Sequence, residues 1–223
     1  MKNIIVAIDG PAGSGKGTVT KIVAEKLNLV YIDTGAMYRC VTLAMLNEGL
    51  NLSDTDKIAR LSKKIKIDFD EAGKVYLNGE DVSLKIREKN VTSLVSQVSS
   101  IVLVRSEMVS LQRDLAKGKS VIMEGRDITT VVFPNADFKI YLDATVDVRA
   151  KRRFIQNQEK NIDMSYEEIL ENIKKRDYND MHKEVGSLVR AEDALYIDST
   201  NMSIDEVAQR IIDTIKGGRN ETN

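Results

Sequence analysis

Asn3-Ile4-Ile5-Val6-Ala7-Ile8-Asp9 runs directly into Gly10-Pro11-Ala12-Gly13-Ser14-Gly15-Lys16-Gly17-Thr18, and the junction of these two stretches decides the fold. The first holds a continuous apolar run, long enough for a strand buried on both faces. The second contains the G-x-x-x-x-G-K pattern of a phosphate-binding loop, placed between that strand and a helix expected from about Gly15 to Leu27. Its glycines let backbone N–H groups turn inward around an anion, and the helix N-terminus adds the positive end of its dipole. Lys16 can reach the outer phosphates as a point charge. The strict pattern has Ser or Thr directly after the lysine; here Gly17 intervenes and Thr18 follows.

Outward from this junction, strand and helix signals alternate. Strands are expected at Leu29 to Ile32, Ser120 to Met123, Phe138 to Leu142 and Leu195 to Ile197, each beside a helical pattern. One such helix runs from about Ala36 to Asn47, with Gly49 as its stop. Repeated strand–helix units predict a parallel α/β sheet with right-handed crossovers. Ser165-Tyr166-Glu167-Glu168 and Ser203-Ile204-Asp205-Glu206 both fit a capping box, and the last helix should end near Gly217-Gly218, leaving a frayed tail. From Ile65 to Val82 the apolar period drops to two, with turn signals at Asp70-Glu71-Ala72-Gly73 and Asn78-Gly79. That reads as an antiparallel meander inserted at about 58–90. Asn90 to Leu115 reads as one long helix or two joined ones.

Composition bounds the function. With 33 Lys+Arg against 34 Asp+Glu, the net charge of -1 excludes a broadly basic nucleic-acid coat. Aromatic residues are 5% of the 223, too few for the stacking platforms of single-strand binders. One cysteine excludes a disulfide framework and any multi-cysteine metal site, and Cys40 reads as a small packed hydrophobe. No run approaches the roughly 18 apolar residues of a membrane span, and the N-terminus lacks a leader pattern, so a cytoplasmic protein is expected.

Charged residues at strand and helix ends suggest the rest of a site. Arg39 lies one turn into the helix after Asp33-Thr34-Gly35, with Thr34 as a possible cap. A cation there gains nothing from the helix dipole, which points to a nearby anionic ligand; the alternative is a solvated surface arginine. Glu124-Gly125-Arg126-Asp127 follows an apolar strand, where parallel sheets bind ligands. Arg126 suits a phosphate fork and Asp127 can accept from an amine or hydroxyl; the alternative is an ion pair that only holds the loop. Arg149, Arg152 and Arg153 share one helical face, and Arg176, Asp180 and Lys183 another, either as solvated stripes or closing over phosphates. Gln156 to Asn161, polar and without proline, suits a short lid. His182, the one histidine, reads as a surface residue, because phosphoryl transfer between phosphates needs no such base.

The loop variant with Gly17 is similar to that of nucleoside monophosphate kinases. A GTPase would need a guanine-reading Asn-Lys-x-Asp, which is absent, and a motor or transport ATPase would be longer. Together with Tyr31-Ile32-Asp33-Thr34-Gly35-Ala36-Met37-Tyr38-Arg39, the meander, Gly125-Arg126-Asp127, the run Thr130 to Asp137, Lys175 to Lys183 and Ala194 to Thr200, the chain resembles the bacterial cytidylate kinase family over nearly its full length. The loop alone is shared by many kinases; the combination is far more specific.

The resemblance implies transfer of a phosphoryl group from ATP to CMP or dCMP, with Mg²⁺. It implies a P-loop nucleoside monophosphate kinase fold: an α/β single domain with a five-stranded parallel sheet flanked by helices. The core would be 1–57 and 91–223, with a short lid at about 150–162 and the antiparallel β insertion at 58–90 binding the nucleoside monophosphate. Gly10, Pro11, Ala12, Gly13, Ser14, Gly15, Lys16, Gly17 and Thr18 would hold the ATP phosphates, with Arg149 on the ATP side and Thr18 on the metal. Lys16, Arg126, Arg152 and Arg153 would be catalytic. Thr34, Arg39, Ser96, Arg105, Arg126, Asp127, Arg176, Asp180 and Lys183 would face CMP. No nucleic acid, no membrane and a monomeric state are expected.

Three positions depart from the family pattern. Thr129 stands where glycine is usual, which would stiffen the base-binding loop. Lys183 replaces arginine, exchanging a fork for a point charge. A proline common near Ser187 is missing. Two other readings remain open at this point: a kinase for another small acceptor, such as UMP, shikimate or a coenzyme precursor, and a non-catalytic nucleotide-binding regulator.

Overall fold

In the computed structural model, which describes residues 3–70, 73–159 and 162–220, the opening apolar run forms strand β1 (Ile5–Asp9). The phosphate-loop segment leads into α1 (Lys16–Leu27), then β2 (Val30–Asp33) and α2 (Thr34–Asn47). The inserted stretch holds α3 (Thr55–Ser62), β3 (Ile67–Phe69), β4 (Val75–Leu77), β5 (Glu80–Asp81) and a 3₁₀ turn Lys85–Arg87. Next come α4 (Lys89–Val98), α5 (Val102–Ala116), β6 (Val121–Gly125) and a π-helical turn Ile128–Val132. The chain closes with β7 (Phe138–Asp143), α6 (Val146–Glu159), α7 (Tyr166–Met181), β8 (Leu195–Asp198) and α8 (Ile204–Asn220).

Five strands pair in the order β2-β6-β1-β7-β8, all parallel. β1 sits at the centre, which is why Val6, Ala7 and Ile8 have no solvent exposure and why the run could dispense with polar alternation. One face packs Met37, Val41 and Met123 against Ile67, Leu77 and Ile86 of the inserted stretch and Val95 and Met108 of α4 and α5. The other packs Ile8, Ile140, Leu142 and Ile197 against Val23 of α1 and Ile211 of α8. Full burial of each such side chain stabilises the fold by about 1.5–3 kcal/mol. The meander β3-β4-β5 is antiparallel, and it shares the first core instead of enclosing one of its own.

Several expectations shift in detail. The stretch from Asn90 to Leu115 is two helices, α4 and α5, bent by 98°. Their apolar faces lie in the core, and among the described residues no single helix is long and apolar enough to cross a membrane. A boundary at 58 falls inside α3 and one at 90 inside α4. Gln156 to Glu159 is the last turn of α6 and not loop, because an i→i−4 ladder tolerates this polar, proline-free run. α8 likewise continues past Gly217-Gly218. Both capping boxes form: Glu168 N–H donates to Ser165 Oγ (3.2 Å) and Ser165 N–H to Glu168 Oε2 (2.9 Å), and Ser203 and Glu206 repeat the exchange. Glu71, Ala72, Lys160, Asn161 and the last three residues of the expected tail lie outside the described residues.

Candidate active site

The carboxyl ends of β1, β2 and β6 open onto one cleft of about 670 Å³. Nine basic and five acidic side chains line it among the described residues, so the near-neutral chain concentrates positive charge here.

The phosphate loop forms one end. Gly13 and Gly15 take positive φ of 80° and 87°, a region that costs other residues strain, and this turns successive amides toward the cleft. Lys16 is 6% exposed, and its Nζ donates to the Pro11 carbonyl (2.9 Å). Burial, then Arg126, lowers its ammonium to about 7, with Glu124 and Asp180 opposing. Ser14 Oγ is buried without a hydrogen-bond partner, an orphan that a phosphate oxygen would satisfy. Amide cradle, lysine and orphan hydroxyl fit a polyphosphate. Thr18 also lines the cleft. Among the described residues no three Asp, Glu, His or Cys side chains cluster as a metal cage, and the Thr18 hydroxyl is a group that could hold a magnesium ion here.

Arg149 and Arg152 approach this loop from outside. Arg149 donates from Nε to the Ala144 carbonyl (2.9 Å) and from Nη1 to the Ala12 carbonyl (2.9 Å), while Nη2 pairs with Asp177 (2.6 Å). Arg152 donates to the Ser14 carbonyl (3.3 Å) and to Ser199 Oγ and O (3.1 and 2.7 Å). The two arginines thereby fix the carbonyls of Ala12 and Ser14. The three arginines expected together on one helical face therefore divide: two brace the loop, and only Arg153 lines the cleft.

The opposite end is a network of buried and half-buried charge. Arg126 Nε donates to Asp180 Oδ2 (2.8 Å), Lys183 pairs with Asp180 Oδ1 (3.1 Å), and Arg176 lies 3.9 Å from the same carboxylate. Burial pushes Asp180 up, but Arg126, Lys183 and Arg176 outweigh it and hold the carboxyl at about 2. Arg176 is lowered to about 10, first by burial and then by Arg126, and its Nε is buried without a hydrogen bond. Asp127 pairs with Arg105, whose Nη1 also donates to the Ser99 carbonyl (3.2 Å), and Lys183 donates to Ser99 Oγ (2.8 Å). Ser96 lines the cleft beside Ser99. Arg126 and Asp127 are thus neighbours that pair with different partners and not with each other.

At α2 the cap is Asp33, not Thr34. Asp33 Oδ1 accepts from Ala36 N–H (2.9 Å) and Oδ2 from Arg39 Nη2 (3.0 Å), while Thr34 is the first helical residue and donates its hydroxyl to the Glu124 carbonyl (2.8 Å). Arg39 Nε is left buried and unbonded, and Arg39 faces the cleft, which removes the solvated-surface alternative.

Sequence reading gave no role to Glu124, Tyr31, Asp33 or Arg87, all of which line the cleft. Glu124, 8% exposed, accepts from the Tyr31 hydroxyl (2.7 Å); burial raises its carboxyl, with Asp33 adding and Lys16 opposing. Its place at the carboxyl end of an apolar strand was the available signal. Arg87 carried none, since the turn that delivers it has no local pattern. His182 is exposed at the end of α7, stacked on Tyr178 at 4.1 Å, and Cys40 is buried, its thiol pushed up to about 12 by burial.

A family model described as cytidylate kinase matches residues 6–217. The chain belongs to the cytidylate kinase family. Curated cytidylate kinases of Fusobacterium nucleatum and Bacillus subtilis are 49% identical over 207 residues and 47% over 218; they cover 93% and 96% of this chain and 94% and 97% of their own. That of Caldicellulosiruptor saccharolyticus is 48% identical over 216 residues, with 96% of both chains covered. Solved structures from Eubacterium ventriosum (TM-score 0.53, 15% identity, 96% of this chain and 99% of that one) and Thermus thermophilus (0.51, 16%, 97% and 98%) share the fold alone. The family places this parallel sheet, its phosphate loop and its small antiparallel sheet among the P-loop nucleoside monophosphate kinases.

Proposed function

We propose that the protein is a cytidylate kinase, transferring the γ-phosphoryl group of ATP to CMP or dCMP to give ADP and CDP or dCDP. The observation that carries this reading is one cleft with two unlike ends: an amide-and-lysine cradle around Lys16, and a network of Arg126, Asp180, Arg176 and Asp127 facing it. Transfer between two nucleotides needs in-line placement and cancellation of phosphate charge more than covalent chemistry. Gly10 to Thr18 hold the donor phosphates and Lys16 bears on the group in transit. Arg126, Arg39 and Arg176 take the acceptor phosphate. Arg153 adds positive charge in the cleft beside Arg39, Arg87 and Arg176; Arg149 and Arg152 hold the loop in shape. Asp127, Arg105, Lys183 and Ser96 frame the base, and Thr34 and Asp180 fix the elements around it. A bound magnesium ion would supply charge neutralisation between the phosphates.

The 58–90 stretch serves the acceptor end, and a lid at about 150–162 closes on the donor; α6 and α7 pack on each other through a small apolar cluster of Ala150, Ile169 and Ile173. Closure would exclude water and with it wasteful hydrolysis. The same reading has a cytoplasmic monomer acting on free nucleotides.

A coupled assay of ADP release with CMP, dCMP, UMP and shikimate as acceptors tests the proposal. CMP and dCMP should give the highest kcat/KM. Preference for another acceptor, or ATP binding without ADP release under any of them, overturns it.

A further inference from the structure

Asp9 is the last residue of β1, one position before the phosphate loop, and its side chain is wholly enclosed at 0% exposure. In the sheet it pairs with Gly125, so its carboxylate lies beside the chain that carries Arg126 and Asp127. There it accepts three hydrogen bonds from the π-helical turn Ile128–Val132: Ile128 N–H to Oδ1 (2.9 Å), and Thr129 N–H (2.7 Å) and Thr129 Oγ1 (2.6 Å) to Oδ2. The far end of that turn is closed by Val131 and Val132 N–H donating to the Asp127 carbonyl (2.8 and 3.1 Å). The first amides of a helical turn have no acceptor within it, and here the acceptor is a side chain from the neighbouring strand. A carboxylate sealed from water is tolerable only when well bonded. The turn and the carboxylate therefore fix each other.

We propose that Asp9 and Thr129 are positioning residues for phosphoryl transfer, which register the acceptor-binding pair Arg126 and Asp127 against the phosphate loop. This rests on the reading of Arg126 and Asp127 as acceptor contacts. The β1–β6 ladder registers the two halves of the site as far as Gly125, and the Asp9 side chain carries that register past Arg126 and Asp127 to the turn that follows them. The lock is strongest while Asp9 is ionised, because a proton on Oδ2 would face the Thr129 N–H and weaken that bond. Burial raises its carboxyl to about 6; the Thr129 hydroxyl and amide and the Ile128 amide act against this, and Asp127 adds to it. The charged and titratable groups that face Asp9 are Asp127 and Arg126 on the loop after β6 and Tyr141 on β7. Loss of the Thr129 hydroxyl removes one opposing bond, so the carboxyl moves further up, toward working pH.

The test uses the full-length enzyme with Thr129→Val, which keeps the shape but not the hydroxyl, and Thr129→Ser, which keeps the hydroxyl. The pH dependence of kcat/KM for CMP at saturating ATP is compared between pH 5.5 and 8.5, with the Asp9 carboxyl followed by ¹³C NMR. Substrate phosphates ionise in the same range in every variant, so the reading is the displacement between variants. In Thr129→Val the acid limb and the Asp9 titration should both move up by about one pH unit, a roughly 5-fold loss at pH 6 for a wild-type carboxyl at about 6. KM for CMP should rise more than KM for ATP, and Thr129→Ser should restore the wild-type profile. A profile that Thr129→Val leaves unmoved in a CMP-active enzyme overturns this proposal alone, as does an equal rise of both KM values with no displacement. A wild-type enzyme without CMP-dependent ADP release overturns the reading of the site and this proposal with it.

Discussion

Gly17 of α1 and Glu124 of β6 face each other on the floor of the cleft so closely that a Cβ on Gly17 would lie 2.8 Å from Glu124 Oε1. That oxygen is held by the Tyr31 hydroxyl at 2.7 Å, so swinging aside would break that hydrogen bond. The glycine that breaks the strict loop pattern is therefore the residue that makes room for this carboxylate beside Lys16. Gly17→Ala should displace Glu124 and lower kcat by about 10-fold or more, since small misplacements near the chemistry can cost ~10²-fold. Tyr31→Phe frees the carboxylate to move, so the double variant should lose less than the product of the single effects. Steady-state kinetics of the four enzymes would show it; additive losses would count against the contact.

Lys16 is buried at the head of the cradle, and no other lysine lies within the loop. Lys16→Ala should lower turnover by at least ~100-fold, somewhat below the range of an arginine finger. Near-full turnover in a folded variant would remove the lysine from the mechanism.

Asp127 is spoken for by Arg105 on one side, yet it lines the cleft on the other. A carboxylate can accept from the exocyclic amine of cytosine, whereas uracil presents a carbonyl there. Asp127→Asn should reduce the ratio of kcat/KM for CMP over UMP, and both Asp127→Asn and Asp127→Ala should destabilise the fold, the alanine variant by about 3–5 kcal/mol, because each leaves Arg105 buried without its charge partner. An unchanged CMP-over-UMP ratio in either variant contradicts a role in reading the base.

Arg149 is sealed between Ala12, Ala144 and Asp177. Arg149→Leu removes the brace on Ala12 and leaves Asp177 buried without its charge partner, so it should destabilise by about 3 kcal/mol or more. ATP affinity, measured by titration calorimetry below the new melting point, should fall more than CMP affinity. Loss of stability with unchanged ATP affinity would show that the loop holds its shape without the brace.

Asp180 is held at about 2 by Arg126, Lys183 and Arg176, below its ordinary value of 3.8. A depressed carboxyl contributes stability above its unfolded pKa and loses it as pH falls toward its folded one. Denaturant unfolding of the wild type should therefore weaken between about pH 4 and 2 more steeply than that of Asp180→Asn. Parallel profiles would mean that the carboxylate is not so held.

Much of this was readable along the chain because it is local. The run Ile4 to Ile8 with no polar alternation specifies a strand covered on both faces, and a glycine-rich turn before a helix specifies an anion cradle wherever it folds. The period-two stretch from Ile65 to Val82 and the Ser-x-x-Glu boxes specify their own geometry in the same way. What a charged side chain pairs with is a different kind of fact. Arg149, Arg152 and Arg153 look equivalent by spacing, and only the packing of α6 against the loop separates two braces from one cleft residue. Thr34 and Asp33 are equally good caps on paper, and the Glu124 carbonyl, 90 residues away, takes the Thr34 hydroxyl.

By itself, then, the amino-acid sequence determined the strand–loop–helix that binds phosphate, the α/β class and the family. The tertiary structure alone decided that Gly17 yields its space to Glu124, that Asp9 at the end of β1 bonds the turn after β6, and that Asp127 answers to Arg105 and not to Arg126. The physical reason is range. Backbone propensity and apolar periodicity act over a few residues, whereas the partner of a buried charge is fixed by whichever opposite charge the fold brings within a few ångströms.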